Sequence, residues 1–389
     1  MVYLDNSATT KPCEKAVQKA LEMMTENFGN PSSLHYCGFN AKKELDNARR
    51  TLADFLSCQQ NEIFFTPSGT VANNTAILGT AKAKRREGKK VITTLLEHPS
   101  VIKHFEMLAE QGFEVVYLKP DNNGKISLDE LSNAVDDNTI LVSVMAVNNE
   151  VGSIQDIGKI KGIIKDNKSK AYFHCDTVQA FGKIDLKPKK LGIDLMSMSA
   201  HKIHGIKGAG ALYVNNSIRI LPSIAGGGQE NGLVSGTEAI PAICAFGEAI
   251  NDIGNVQKNL AEVTNVRNYF IDKISTLEKV YVNSPEDALP YIINISVEGV
   301  PSQVMLNSLS SMGICVSAGS ACAKGHRSDV LTAMGVSPKG IDSAIRISLS
   351  KTTTENEMDL LYNGLTETIK RVRRWVWIIG DKNERNHID

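Results

Sequence analysis

Lys202 closes the run Ser199-Ala200-His201-Lys202, which follows the apolar stretch Leu195–Met198 and precedes the glycine-rich segment Gly205–Gly210. Solubility does not require a lysine at the end of a buried strand. A primary amine there is well placed to form a Schiff base with a carbonyl cofactor, and Ser199 and His201 beside it could hydrogen-bond a phosphate. A second reactive group lies in Ser317-Ala-Gly-Ser-Ala-Cys322, where small residues let the backbone bend and present a thiol to another molecule. Lys324, His326 and Arg327 follow and favour the thiolate, whereas Cys244 and Cys315 read as buried, inert thiols. A Schiff-base lysine and a presented thiol in one chain point to chemistry on a sulfur-bearing amino acid.

Other positions carry weaker signals, each with an ordinary alternative. Ser68-Gly69-Thr70 precedes an expected helix, where exposed amides form a phosphate site or Ser68 simply caps the helix. His98 could stack on a flat ring and shuttle protons, or be a surface loop residue. Asn148 and Asn149 follow a strand, at the end where open α/β sheets bind ligands; the alternative is a polar turn ending at Gly152. Asp176 ends another strand, where a protonated pyridine nitrogen would pair with a buried carboxylate or the side chain would cap a helix. Gln179, three residues on, could reach the ring oxygen. Arg346, inside the apolar strand Ala344–Leu349, should meet an anion: a substrate carboxylate, or an internal acid in a structural ion pair. Gly226–Glu230 and Ser235–Glu238 read as a second polar binding loop or as a flexible linker.

These groups need a scaffold. Strands are expected at Glu62–Thr66, Lys90–Thr94, Glu114–Leu118, Thr139–Ala146, Ala171–His174, Leu195–Ser197 and Ala211–Val214. Helices are expected between them at Val71–Arg86, Val101–Glu110 and Ile157–Lys165, which indicates an α/β domain with a mostly parallel sheet. A long helical stretch over Ala239–Leu277 leads to a smaller α/β pattern: strand Tyr291–Val297, helix Ser302–Met312, strands Ile314–Val316 and Ala344–Leu349, and helix Thr354–Arg374. The expected division is a large cofactor domain over residues 17–255 and a small domain over residues 1–16 and 256–389, with a ligand cleft between them.

The 389 residues suffice for two domains, and 43 basic residues balance 43 acidic ones, so no nucleic-acid partner is implied. No apolar run approaches the roughly 18 residues that span a bilayer, and the N-terminus lacks the pattern of a signal peptide. The 7 cysteines have irregular spacing without zinc-site pairs, so neither a disulfide framework nor a metal is expected, and the reducing cytoplasm is the expected compartment.

Together these segments resemble the cysteine desulfurases of the group with a long mobile cysteine loop, which supplies sulfur for iron–sulfur clusters and thiolated RNA. The matching stretches are Tyr3–Thr10, Asn30–Ser33, Phe65–Asn74, Glu97-His98, Val147–Glu150, His174–Gln179, Ser199–Lys202, Gly226–Glu230, Ser235–Thr237, Ser317–Cys322 and Ile345-Arg346. The resemblance implies a fold-type-I pyridoxal-phosphate enzyme, with the cofactor on Lys202 and its phosphate held by Gly69, Thr70, Ser199 and His201. Thr237 would reach in from the partner subunit of a homodimer. Asp176 would pair with the pyridine nitrogen, Gln179 would contact the ring oxygen, and His98 would stack over the ring. Asn149 and Arg346 would hold the substrate carboxylate.

The implied reaction takes L-cysteine to L-alanine. The Lys202 amine would remove the α-proton, and Cys322 would accept the sulfur as a persulfide for an acceptor protein such as an iron–sulfur scaffold or a tRNA-thiolating enzyme. Selenocysteine cleavage, another pyridoxal-phosphate C–S lyase reaction or a transaminase-like reaction on the same scaffold is one alternative, since none needs the second nucleophile, and a non-catalytic binding role for assembly partners is another. The chain departs from the family at Val234, where many relatives carry arginine, and at Ile206, where proline is common. It departs also in a short, basic segment after Cys322 and in a C-terminus holding Trp375 and Trp377. That C-terminus reads as a docking surface or as a helix end packed on the small domain.

Overall fold

The computed structural model describes residues 1–318 and 327–385, with side chains to residue 373. Its centre is a sheet of seven strands in the spatial order Ile63–Thr66, Gly210–Val214, Leu195–Ser199, Tyr172–Asp176, Thr139–Ser143, Lys90–Thr94, Glu114–Leu118. The last five of these run parallel, and Gly210–Val214 is antiparallel to both its neighbours. Thr139–Ser143, Leu195–Ser199 and Gly210–Val214 are buried at every position, as expected for strands covered on both faces. The helix Gly69–Lys84 packs on this sheet and starts at Ser68, whose hydroxyl accepts a hydrogen bond from the Val71 amide.

Because the strands Lys90–Thr94, Thr139–Ser143, Tyr172–Asp176 and Leu195–Ser199 point the same way, the residues that follow them emerge on one edge of the sheet. His98, Asn149, Asp176 and Lys202 come from those four strand ends. Most expected strands and helices are present within a few residues. The single helical stretch expected over Ala239–Leu277 is instead two helices, Ile240–Ile253 and Val256–Ile274. Gly254 takes a positive φ of 70°, which a helix cannot continue through, and Asn255 then caps the second helix by accepting from the Lys258 amide. Helices at Glu14–Thr25 and Tyr36–Leu56 were not anticipated.

A three-stranded antiparallel sheet, Ala344–Ser348 with Ile292–Val297 and Val280–Val282, forms the second layer system. The first residues of the chain join the two. Val2–Tyr3 pairs with Ile314–Cys315, the Asn6 and Ser7 amides donate to Ser348, and Thr10 and Cys13 reach the turn around Lys202 by bonds to His201 and His204. The segment from Leu4 to Cys13 is thus a strap between the strand carrying Arg346 and the turn carrying Lys202.

The glycine-rich loop after residue 225 is anchored rather than free. Glu230, 8% exposed, takes both guanidinium nitrogens of Arg49 at 2.8 and 2.7 Å and accepts the Phe65 amide at 2.8 Å. Val234 packs in a small apolar cluster with Ala72, Ala76, Leu195 and Leu212, a place where valine needs no partner and an arginine would. Replacing Glu230 by alanine strands a largely buried guanidinium and a buried amide. Glu230→Ala should cost about 3–5 kcal/mol in urea unfolding, against a smaller loss for Glu230→Gln. Equal unfolding midpoints for wild type and Glu230→Ala would contradict this.

Candidate active site

A cavity of about 340 Å³ opens at the edge of the sheet where the parallel strands end. At one side lies the N-terminus of the helix Gly69–Lys84. Gly69 and Thr70 line the cavity, and a Cβ on Gly69 would meet Val178 at 2.8 Å, so only glycine fits between the helix start and that side chain. Exposed amides and the helix dipole favour an anion there. Ser199 stands across from them, its buried hydroxyl without a partner among the described residues. His201 completes this side. Its Nδ1 meets the Thr9 hydroxyl at 3.1 Å, and burial with nearby lysines pushes its pKa down to about 4, so the ring is neutral. Ser68, by contrast, spends its side chain on the helix cap.

The floor is a four-residue chain of hydrogen bonds. Asn73 donates to Asp176 Oδ2 at 2.7 Å and to the Ser100 hydroxyl at 2.9 Å. That hydroxyl, already an acceptor, has its proton for His98 Nδ1 at 2.8 Å, and the Ser100 amide donates to the same nitrogen at 3.1 Å. Two donors on Nδ1 leave the His98 proton on Nε2. Burial lowers the basicity of His98, and the carboxylates of Asp176 and Glu150 oppose it without reversing it. Asp176 also accepts the Val178 amide on Oδ1, so the turn-capping role and the cavity role belong to the same carboxylate. Beneath it Glu97 is buried, with its acidity weakened by desolvation. It accepts the Met145 amide at 2.7 Å and so supports the segment leading to Asn149.

Lys202 reaches into the cavity and donates to the backbone carbonyls of Ser7 and Ala8, the latter at 2.9 Å. Burial, followed by the charge of Arg346, brings its pKa down to about 8, with Asp5 and Asp176 pulling the other way. Gln179 donates to the Ser7 carbonyl at 3.0 Å and accepts from Lys183 at 3.3 Å. Lys183 is fully buried beside the site, and its pKa falls to about 7. Arg346 does have an internal acid, Asp5, at 2.9 Å, and its other terminal nitrogen donates to the Asn149 carbonyl at 3.0 Å. Its buried Nε has no partner among the described residues, so the ion pair leaves donor capacity on a residue that lines the cavity.

The structure therefore brings Gly69, Thr70, His98, Asn149 and Asp176 into one cavity with Gln179, Ser199, His201, Lys202 and Arg346. Thr237 is not among them; it lines a separate hollow with Phe65, Gly208 and Ser235. Asn148 faces inward and holds the turn, accepting the Glu150 and Val151 amides. Cys244 is buried as expected, whereas Cys315 is half-buried. Cys322, with Lys324 and His326, lies outside the described residues, as do the side chains of Trp375 and Trp377. Sequence reasoning singled out neither Asn73 nor Ser100, whose roles depend on three-dimensional contacts, nor the carbonyls of Ser7 and Ala8, which no side-chain pattern reveals.

Comparison with known proteins identifies the family. Residues 2–361 match the model of the class-V aminotransferase family. A cysteine desulfurase IscS from Methanosarcina thermophila is 40% identical over 376 residues, covering 96% of this chain and 93% of its own. Among solved structures, a NifS-like protein superposes with a TM-score of 0.89 at 34% identity, covering 97% of this chain and 99% of that one. A protein named SspA, solved in complex with cysteine, gives a TM-score of 0.81 at 31% identity, covering 91% and 100%. An ordered set of site residues, a mostly parallel sheet that presents them at one edge, and near full-length similarity lead to one assignment: the chain belongs to the class-V aminotransferase family and, within it, to the cysteine desulfurases.

Proposed function

We propose that the protein converts L-cysteine to L-alanine and keeps the sulfur as a persulfide on Cys322 for delivery to an acceptor protein. The observation that carries this reading is the Lys202 amine, desolvated and gripped by two carbonyls, in the same cavity as Asp176, His98 and Arg346. The family depends on pyridoxal phosphate, and the cavity's residues fit that group. Ser7, Asn73, Ser199 and Arg346 line it, each with a buried polar atom that has no partner among the described residues, and the helix start at Gly69 admits a phosphate. Gly69, Thr70, Ser199 and His201 would hold the phosphate, Asp176 the ring nitrogen, Gln179 the ring oxygen, His98 the ring face and Lys202 the carbonyl carbon. When bound, the cofactor supplies an electron sink for the pair left at the substrate α-carbon.

The chain's own residues do the rest. Arg346 Nε and the Asn149 side chain bind the substrate carboxylate, which neutralises part of the positive charge around Lys202. The Lys202 amine, with its basicity brought near neutral pH by burial, takes the α-proton and returns a proton to carbon. His98, neutral and protonated on Nε2, can pass a proton at that atom to or from the substrate. The thiolate of Cys322 attacks the substrate sulfur: an S–S bond forms, the substrate C–S bond breaks, and the carbon gains the proton. The sum is cysteine plus the Cys322 thiol giving alanine plus the Cys322 persulfide, with sulfur oxidised and carbon reduced and no outside redox partner.

A homodimer fits the position of Thr237 outside its own chain's cavity. It fits also the exposure of Phe28, Leu34, Tyr36 and Phe39, apolar groups near one another in sequence that a second chain would cover. The division into residues 17–255 and a second unit of 1–16 with 256–389 is supported by the strap's hydrogen bonds to Ser348. Free thiols at every described cysteine suit a reducing compartment. No helix among the described residues is long and apolar enough to cross a membrane.

Two measurements test this reading. In an assay of alanine and persulfide from L-cysteine, Cys322→Ala should keep the cofactor's absorbance but lose both products by more than about 100-fold, the scale for removing an essential nucleophile. Undiminished alanine from Cys322→Ala would instead indicate direct lyase chemistry. Capture of pyridoxal phosphate by the apoprotein should rise with pH around a midpoint near 8, because only the unprotonated Lys202 amine is nucleophilic. A midpoint near 10.5, the ordinary lysine value, would show that the amine is not desolvated.

A further inference from the structure

Both ends of the segment that bears Cys322 are fastened to the carboxylate-binding side of the cavity, one end by backbone and the other by a side-chain bond. At the leading end Ser317 and Arg346 exchange two backbone hydrogen bonds, at 3.0 and 2.6 Å. At the returning end Ser328, 1% exposed, donates its hydroxyl to Glu150 Oε2 at 2.6 Å, a length typical of a charge-assisted bond. The same hydroxyl oxygen accepts the Leu331 amide at 3.1 Å and so starts the helix Asp329–Ala333. Glu150 is itself fixed. Its amide donates to Asn148 Oδ1 at 2.8 Å and its carbonyl accepts from Asn294 at 3.2 Å. It adjoins Asn149, and its carboxylate is close enough to act on His98.

In sequence Cys322 is five residues from Ser317 and six from Ser328. A second contact, the ion pair of Arg327 with Asp342 at 2.8 Å, also holds the returning end, but it joins the helix Pro338–Asp342 rather than Glu150 and is open to solvent.

We propose that the Ser328–Glu150 hydrogen bond is a positioning contact for sulfur transfer, fixing the return of the Cys322 segment beside Asn149. The proposal rests on the desulfurase reading. It makes Ser328 and Glu150 positioning residues, with no contact to the reacting atoms. It separates two steps: α-proton removal by Lys202, which needs neither residue, and sulfur capture by Cys322, which needs both.

The test uses full-length holoenzyme. Ser328→Asp keeps an oxygen to cap the helix but sets a second carboxylate against Glu150, so persulfide formation from L-cysteine should fall about tenfold or more, tenfold being about 1.4 kcal/mol. Exchange of the α-proton of L-alanine with solvent deuterium, and the L-cysteine concentration that half-saturates the cofactor's spectral change, should stay at wild-type values. Ser328→Thr keeps the donor and should keep the rate. Ser328→Asp combined with Glu150→Gln restores a donor and acceptor and should recover most of the loss. Persulfide formation unchanged in Ser328→Asp overturns the proposal alone. Equal losses in deuterium exchange and persulfide formation also overturn it, since that is the mark of a general structural defect. A wild type that exchanges the α-proton but forms no persulfide overturns the desulfurase reading, and this proposal with it.

Discussion

The grip of two backbone carbonyls, those of Ser7 and Ala8, on the Lys202 amine is the interaction on which the rest of the site depends. A partly desolvated amine loses its proton more readily or seeks a counter-charge. Burial and the charge of Arg346 bring its basicity down to the range where it can both add to a carbonyl and accept a proton, while the carbonyl dipoles hold the amine in place without supplying a full counter-charge. The carbonyls belong to the strap that binds Ser348 on one side and the Lys202 turn on the other. The same segment contributes Asp5 to Arg346 and the Thr9 hydroxyl to His201. One short stretch of chain therefore sets the reactive amine, the carboxylate binder and part of the phosphate side in register.

Charge in this pocket is arranged by subtraction. Lys183 feels the charges of Lys202 and Arg346, and Lys202 feels that of Arg346, with Asp5 and Asp176 opposing at Lys202. Lys183 has no acid of its own among its described partners, only the Gln179 amide oxygen and the face of Tyr291. Burial first, then the charges of Lys202 and Arg346, depresses its basicity. The arrangement leaves the cavity positive where a phosphate and a carboxylate belong, and keeps His98 and His201 neutral so that they act by hydrogen bonding.

Much of this was legible in the sequence for a physical reason. Parallel strands buried on both faces are apolar, so polar residues at their ends stand out, and Asp176, Asn149 and Lys202 were found that way. The helix start marked by Ser68 was an equally local signal. The strap was not legible. Lys202 and Ser7 are 195 residues apart, and a carbonyl carries no side-chain identity. Asn73 sits within a helix that is buried almost all round, so its polarity looked incidental until Asp176 was brought to it from 103 residues away. Nor does composition encode strand direction: Gly210–Val214 reads like its parallel neighbours and runs against them. The bond from Ser328 to Glu150 spans 178 residues and had no precursor in the pattern.

The account turns on which buried amine is reactive, because Lys183 and Lys202 are both desolvated and both have lowered basicity. Borohydride fixation of the pyridoxal-phosphate-loaded protein, followed by peptide mapping, decides this directly. The account predicts the reduced cofactor on Lys202 alone, since Lys202 lines the large cavity and Lys183 lines only the small hollow behind it. Label on Lys183, or loaded protein that borohydride leaves unlabelled, would contradict it.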